Sequence, residues 1–429
     1  MPLFRPIPLP AASTPFTGQV EWAARRDPIG HRVHLCLACA CLALIPLSST
    51  LATIGSTALF IYTALRTPTI HRTWRPLFTN GCMLSLLGLY GWLATSLAWS
   101  SDPEHGLRLL RGSRYLLLVP ALLPLMQHTR VLLGGLCAGV LIQLVAQQLV
   151  SRGTGGLSEH AGYTALWFTF AAMALVLTPP RGTGRGPDRI GKCLTPLVMA
   201  GIVVSTARSA LLGCGVGLVL GMALAWLRNR VDRRAMVLSG VATIAVGVLL
   251  TLAPGSSMNR GMQEAFQAVN ASDGSGVEAY PDQVRPLWWR IGFDAFTAAP
   301  VAGQGLGSAK TMIEGDAEVF EITRDGTVNQ HAIRDDYHSL FVTVAADGGL
   351  VGLLLLAAWI ILLGRQLLAR GGELDAVLLG AFASFLVFSL LNTTAFSGRL
   401  VAFPAILMAF SIRSAPRQAG VGEATEGTT

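Results

Sequence analysis

Charge is what this sequence has least of: Asp, Glu, Lys and Arg make up 13% of its 429 residues, roughly half the share found in a soluble domain. With 52% hydrophobic residues and a mean hydropathy of +0.53, that scarcity excludes both a water-soluble globule and a disordered chain. Cysteine is sparse as well. Cys36, Cys39, Cys41, Cys82, Cys137, Cys193 and Cys214 lie in or beside apolar runs, and none falls in the polar stretch from Ala253 to Ser339, so a disulfide scaffold is excluded. Cys36, Cys39 and Cys41 have no His or acidic partner within their apolar run and read as small helix residues, not metal ligands. No cleavable signal peptide is expected, since residues 1–33 are Pro-rich and polar, with Arg25, Arg26 and Arg32 just ahead of the first apolar run. Apart from the adjacent Asp335 and Asp336, the polar stretch has no paired-Asp metal motif, so the expected chemistry needs no metal and no cofactor. No internal repeat is evident.

What is present is a series of apolar runs, read as spans near 35–50, 52–65, 78–99, 114–126, 131–150, 161–178, 192–207, 209–227, 235–253, 340–363, 374–391 and 400–412. The expected fold is therefore an all-α polytopic membrane protein of about twelve transmembrane helices. Pro120 and Pro124 predict a kinked or broken fourth span. Charge sets the orientation. The clusters Arg66/Arg72/Arg75, Arg181/Arg185/Arg189/Lys192 and Arg228/Arg230/Arg233/Arg234 all fall on one side, which the positive-inside rule makes cytoplasmic. The net charge of +8 thus reports topology and gives no reason to expect nucleic-acid binding. Five segments follow: a cytoplasmic N-terminal segment 1–33, nine spans over 34–253, a large outer loop 254–339, three spans over 340–413, and a disordered cytoplasmic tail 414–429. The loop is far longer than a packed bundle requires. Its aromatic residues predict short helices folded across the mouth of the bundle.

The candidate chemistry gathers on the outer face. Arg208, in Ser205-Thr206-Ala207-Arg208-Ser209-Ala210, is a charge between two apolar runs, either a functional cation or an arginine snorkelling from a helix end. Arg285-Pro-Leu-Trp-Trp-Arg290 leads into Pro300-Val-Ala-Gly-Gln-Gly-Leu-Gly307. Two guanidiniums flank an aromatic pair that includes Trp289, and the Gly-rich turn can offer amides to an oxyanion. The competing reading is an interfacial helix with a Trp belt. Tyr337-His338-Ser339-Leu340 opens a long apolar run, placing His338 in the first turn of a helix at the water boundary. Asp347 lies nine residues further on, where a carboxylate needs a partner. Arg399 either completes an anion site or snorkels. His160, after Glu159, and Tyr163 either contact sugar or belong to a helix N-terminus. Arg108, Arg111 and Arg114, with Leu109 and Leu110, read as an amphipathic approach to membrane lipid that can meet phosphate.

These segments resemble the O-antigen ligase and polymerase-like membrane glycosyltransferases. Arg285, Trp289, Pro300, Gly303 and Gly305 match that family's pattern, as do His338, Asp347 and Gly348, although Ser339 stands where the family usually has Asn and Asp347 where it usually has Glu. Arg208 sits in the Ala-Arg-Ser context the family shows after a mid-chain span. The resemblance covers about 200–410. It implies a GT-C-like architecture at the bacterial inner membrane, both termini cytoplasmic, with transfer of glycan from undecaprenyl pyrophosphate on the periplasmic face to lipid A–core oligosaccharide. His338 would be the base, and Arg208, Arg285 and Arg290 the phosphate ligands. The residue chemistry fits independently: a pyrophosphate needs its growing charge neutralised, and a sugar hydroxyl needs one base titrating near neutrality. Related readings keep the chemistry and change the acceptor, giving a polymerase or a protein oligosaccharyltransferase. A twelve-span transporter is the reading of another class, but its expected mid-span ionisable residues and pseudo-symmetric halves are not evident.

Overall fold

A computed structural model of the chain describes residues 16–149, 161–178, 194, 198–199, 201–202, 208–228, 281–317, 319, 336–369, 372, 374–393 and 398–412. Among them there is helix and turn but no strand. The labelled helices are α1 (Phe16–Arg26), α2 (Pro28–Leu44), α3 (Ser49–Leu65), α4 (Gly81–Ser96), α5 (Pro103–Leu110), α6 (Thr129–Leu149), α7 (Ala161–Leu177), α8 (Arg208–Leu227), α9 (Pro281–Ala298), α10 (Leu340–Ala369), α11 (Asp375–Leu390) and α12 (Ala402–Ser411). Several begin where the sequence supplies a cap. Asp27 precedes Pro28 and accepts the Gly30 N–H at 2.8 Å. Asp102 likewise precedes Pro103 and accepts the His105 N–H at 2.9 Å. Ser48 and Asn80 cap α3 and α4 in the same way. Each cap satisfies one of the amides a helix start leaves open, and proline at the first position loses no hydrogen bond.

Four helical stretches among the described residues are long and apolar enough to cross a membrane: Gly81–Trp99, Pro103–Ala146, Ser209–Leu227 and Leu340–Ala369. Five shorter apolar helices join them, Pro28–Leu44, Ser49–Leu65, Tyr163–Leu177, Asp375–Leu390 and Gly398–Ser411. The expected span 235–253 lies outside the described residues, as does most of 192–207 and of the expected outer loop. The proline-bearing fourth run is broken as its sequence requires. It passes through a 3-10 helix (Arg111–Leu117), a short α-helix (Leu118–Leu122) and a second 3-10 helix (Leu123–His128), and Leu118, Val119, Ala121 and Leu122 are fully buried there. One described part of the 254–339 segment departs from expectation: α9 is a single helix of 18 residues, continuous through Pro286.

The helices pack through small residues. Gly213, Gly217 and Gly221 of α8 face Ser384, Gly380 and Ala376 of α11, and a Cβ at any of the three would collide with backbone oxygen across the interface. The four-residue spacing keeps the glycines on one stripe, the small-residue geometry by which apolar helices approach where lipid removes the hydrophobic drive. The pairs α4/α10 and α8/α11 run antiparallel, with Gly88 against Leu355 and Gly217 against Gly380. The bundle therefore has two distinct ends. At one, Asn80, Gln366 and Ser411 form a chain of hydrogen bonds joining α4, α10 and the C-terminal end of α12. Arg228 pairs there with Asp375 at 2.9 Å and donates to the Leu367 and Leu368 carbonyls at the end of α10. Arg66 pairs with Asp27 at the same end. At the opposite end lie the start of α8, the end of α4, α5, α9 and the start of α10.

The α8/α11 stripe gives a paired prediction. Gly217→Leu should destabilise the purified protein by about 1–3 kcal/mol or more through overpacking, seen as a lowered midpoint in a thermal unfolding assay in detergent. Gly215→Leu, on the face where a Cβ meets nothing within 4 Å, should leave the midpoint near that of wild type. Equal effects would mean the stripe is not the packing interface.

Candidate active site

The site is built on a helix that breaks. Within α10 the backbone at Gly349 turns to φ 61° and ψ −159°, far from helical values, so the turn around it loses its own hydrogen bonds. A neighbouring loop supplies replacements. Gln304 donates to the Ala346 carbonyl at 2.8 Å, Gly305 to the Asp347 carbonyl at 3.0 Å, and Leu350 to the Pro300 carbonyl at 2.8 Å. Trp92 adds its indole N–H to the Gly348 carbonyl at 2.8 Å, and Trp99 adds its own to the Gly303 carbonyl at 3.1 Å. Irregular backbone at such depth persists only where protein satisfies it in this way.

That pairing corrects the expectation for the Gly-rich turn. Its amides do not await an oxyanion: those of Gly303, Gln304, Gly305 and Leu306 all donate to protein acceptors, Leu306 to the Ser96 hydroxyl. The glycines are there for close approach. Gly303 has φ 75°, and a Cβ on it would strike the Asp347 backbone. Gly305 has φ 90°, and a Cβ on it would strike Ser96 and Ser100. Asp347 finds its partners in the same turn, the Ser308 hydroxyl at 3.4 Å and the Gly307 N–H. The carboxylate is fully buried, and its second oxygen has no hydrogen-bond partner among the described residues. It ties the turn to the broken helix.

His338 stands two residues ahead of α10, not in its first turn. Its φ is 52°, a left-handed conformation uncommon for a residue with a Cβ. Two things hold it. Its backbone N–H donates to Asp336 Oδ1 at 2.7 Å, and its ring stacks on Trp288 with centroids 4.8 Å apart and planes 20° from parallel. Nε2 lies 4.0 Å from Asp336 Oδ1, and the ring is partly open at 26% side-chain exposure. The residue after it, Ser339, hydrogen-bonds into the first turn of α10. Trp288, Leu287, Ile291, Tyr337 and Val342 form a small core separate from that of the bundle, and it clamps α9 against the His338 segment. Gly292 lets the two approach, since a Cβ there would meet Tyr337 and Val342.

The aromatic contact belongs to Trp288, which residue-type reasoning passed over in favour of Trp289. Helical spacing was the available signal: Trp288 is three residues from Arg285 and shares its face. Arg285 is half-buried on that face, one turn before the indole under His338. Trp289 packs against the same small core, and its indole N–H is buried without a partner among the described residues. Arg290 points elsewhere. It pairs with Asp316 at 3.2 Å and Asp294 at 3.6 Å at the exposed surface, so carboxylates hold the guanidinium that was expected on phosphate.

Arg208 opens α8, and the helix start is at the His338 end: Asn392 donates to the Ser209 hydroxyl at 3.0 Å, and Thr393 hydrogen-bonds Thr343 of α10. The Arg208 side chain lies outside the described set. Arg399 is buried, and its Nη1 donates to the Ile45 and Pro46 carbonyls beyond α2 at 3.3 and 3.4 Å. Those bonds make it a clamp on a helix end. Tyr163 packs half-buried against the main core, and His160 falls outside the described residues.

Residues 194–357 match the family model described as O-antigen ligase. The match supports an O-antigen ligase/polymerase-like family for this segment. The match runs from before α8 past the break in α10, and it takes in Arg208, Arg285, His338 and Asp347. Members of the O-antigen ligase family are glycosyltransferase-like enzymes, and with the apolar helices the match makes the chain a multi-pass membrane protein. No curated protein matches the chain.

Two outcomes test the geometry. Gly303→Ala should lower the unfolding midpoint, since the added Cβ meets backbone and the left-handed φ disfavours it, together about 2 kcal/mol or more; Gly91→Ala, in open space, should be neutral or mildly stabilising. Burial and the nearby Asp347 push the Tyr337 phenol well above its usual range. The folded state then keeps a proton that the unfolded state loses, so stability falls as pH rises above about 10. Tyr337→Phe should reduce that alkaline loss, measured by unfolding midpoints across pH, and an unchanged alkaline limb would place the titrating group elsewhere.

Proposed function

We propose that the chain is an O-antigen ligase, joining O-antigen polysaccharide carried on undecaprenyl pyrophosphate to lipid A–core oligosaccharide. The reaction runs on the periplasmic face of the bacterial inner membrane. The observation that carries this reading is His338, held in a strained backbone, stacked on Trp288 and partly open, with Arg285 one turn away on the same helix face. All of it lies inside the O-antigen ligase match.

In the proposed step, His338 takes the proton of an acceptor sugar hydroxyl as the oxygen attacks the anomeric carbon. The bond from that carbon to the pyrophosphate breaks in the same displacement, and the configuration inverts. Charge growing on the departing diphosphate is met by Arg285 and Arg208, which cannot lose their own protons and bind phosphate through two parallel N–H groups. Asp336, which accepts the His338 backbone N–H, holds the segment that carries the ring. Arg290 and Arg399, engaged by Asp316 and by backbone carbonyls, are left out of the anion site. No metal or cofactor takes part in the proposed reaction.

Purified protein given lipid-linked glycan and rough lipopolysaccharide should form a laddered product on a gel. His338→Ala should reduce it at least about 100-fold, the usual scale for losing a general base, and Arg285→Ala should do the same while the unfolding midpoint stays put. Full ladder formation by His338→Ala would reject the base assignment. The lipopolysaccharide of cells lacking the chain separates two relatives: loss of all long chains means ligation, and caps of a single repeat mean polymerisation.

A further inference from the structure

Three arginines form a rail at the His338 end of the bundle. Arg108 closes α5, and the chain passes directly into the 3-10 helix Arg111–Leu117. With three residues per turn, residues three apart line up along one edge, so Arg111, Arg114 and Leu117 share a line that Arg108 continues. The axial steps are about 4.5 Å in the α-helix and about 6 Å in the 3-10 helix. All three arginines are exposed. None has a carboxylate partner among the described residues: Arg108 reaches His105 Nδ1 at 3.3 Å, Arg114 reaches the Thr53 hydroxyl at 2.9 Å and lies over the Tyr115 ring, and Arg111 meets no polar group there. Glu104, four residues before Arg108, forms no ion pair with it, and Asp102 is turned inward as the α5 cap.

The rail crosses a boundary. Below Arg114 the same line continues with Leu117, which is 51% exposed, and beside Thr53 is Ile54, at 58%. Guanidiniums above and bare aliphatic side chains below are what a helix presents where headgroups meet acyl chains. The rail is also joined to the candidate active site. The residue before Leu107, Gly106, lies against the Leu306 carbonyl and the Gly307 backbone, the turn that repairs the break in α10.

We infer that Arg108, Arg111 and Arg114 dock the phosphorylated headgroup of the acceptor lipid and hold it at bilayer depth beside the active site. The acceptor lipid carries phosphate close to its acyl chains, and arginines not already engaged by carboxylates bind it bidentately at that depth. Identifying the lipid as the acceptor rests on the ligase reading above; the binding itself does not.

The test is a binding titration, with no turnover, of full-length protein in phosphatidylcholine nanodiscs. The probes are fluorescent lipid A bearing both phosphates and the same lipid with its phosphates removed. Wild type should bind the phosphorylated probe roughly tenfold or more tighter. The triple variant Arg108→Gln, Arg111→Gln, Arg114→Gln should lose that preference, and the triple Lys variant should keep it to within about threefold, since the charge remains. If the triple Gln variant does not fold, Arg111→Gln alone, which breaks no described contact, should still weaken binding about threefold. A Gln variant with the full preference would overturn the docking site. Displacement by an equal concentration of phosphatidylglycerol would make the ligand any anionic lipid, and displacement by millimolar inorganic phosphate would make it free phosphate; either overturns the acceptor assignment. Wild type that binds with phosphate preference but transfers no glycan rejects the ligase reading and leaves the rail standing. Ladder formation with no phosphate preference rejects the rail alone.

Discussion

A single exchange of backbone hydrogen bonds underlies the His338 end of this protein. A helix in an apolar medium cannot simply stop, because each unpaired amide or carbonyl there costs several kcal/mol. α10 breaks at Gly349, and the turn from Pro300 to Gly307 takes over its hydrogen bonds, with Trp92 and Trp99 supplying two more. That exchange pins the Gly-rich turn to the bundle. It also fixes where α9 ends, and so where Trp288 and Arg285 can stand.

The rest of the site follows from that placement. Because α9 is held at its C-terminal end by the turn, its apolar face can close on Tyr337 and Val342, and Trp288 comes to lie flat under His338. The left-handed backbone of His338 is tolerated because neighbours hold it on both sides, Asp336 at its amide and Ser339 leading into α10. Strain of this kind persists where surrounding packing over-determines the conformation. The buried Asp347 serves the same scaffold. Its carboxylate joins Ser308 and Gly307 to α10, so the acidic residue nine places after the histidine ties the turn to the helix.

Ion pairs and side-chain hydrogen bonds also tie the end of the bundle away from His338. Arg228, Asp375, Asn80, Gln366, Arg66 and Asp27 tie helix termini there, where the sequence had concentrated basic residues. At the His338 end the arginines divide. Those of the rail meet no carboxylate among the described residues, whereas Arg290 has Asp316 and Asp294, and Arg399 has two backbone carbonyls. The division turns on neighbours. A guanidinium beside a carboxylate or under two carbonyls already has what it would otherwise seek from phosphate.

The helical, membrane-embedded class was legible from composition, because hydropathy is a local property and a crossing requires a long apolar run. The break at Pro120 and Pro124 could be read for the same reason, since it depends on residues near one another in sequence, and His338 was placed in the first turn of a helix that begins two residues later. What the sequence could not decide is which side chains are already engaged. Which indole lies under His338, what holds Arg290 and Arg399, and where the Gly-rich amides turn all depend on groups distant in sequence. Hydrogen bonding and close packing are short-ranged in space and indifferent to sequence distance, so tertiary structure alone settled those questions.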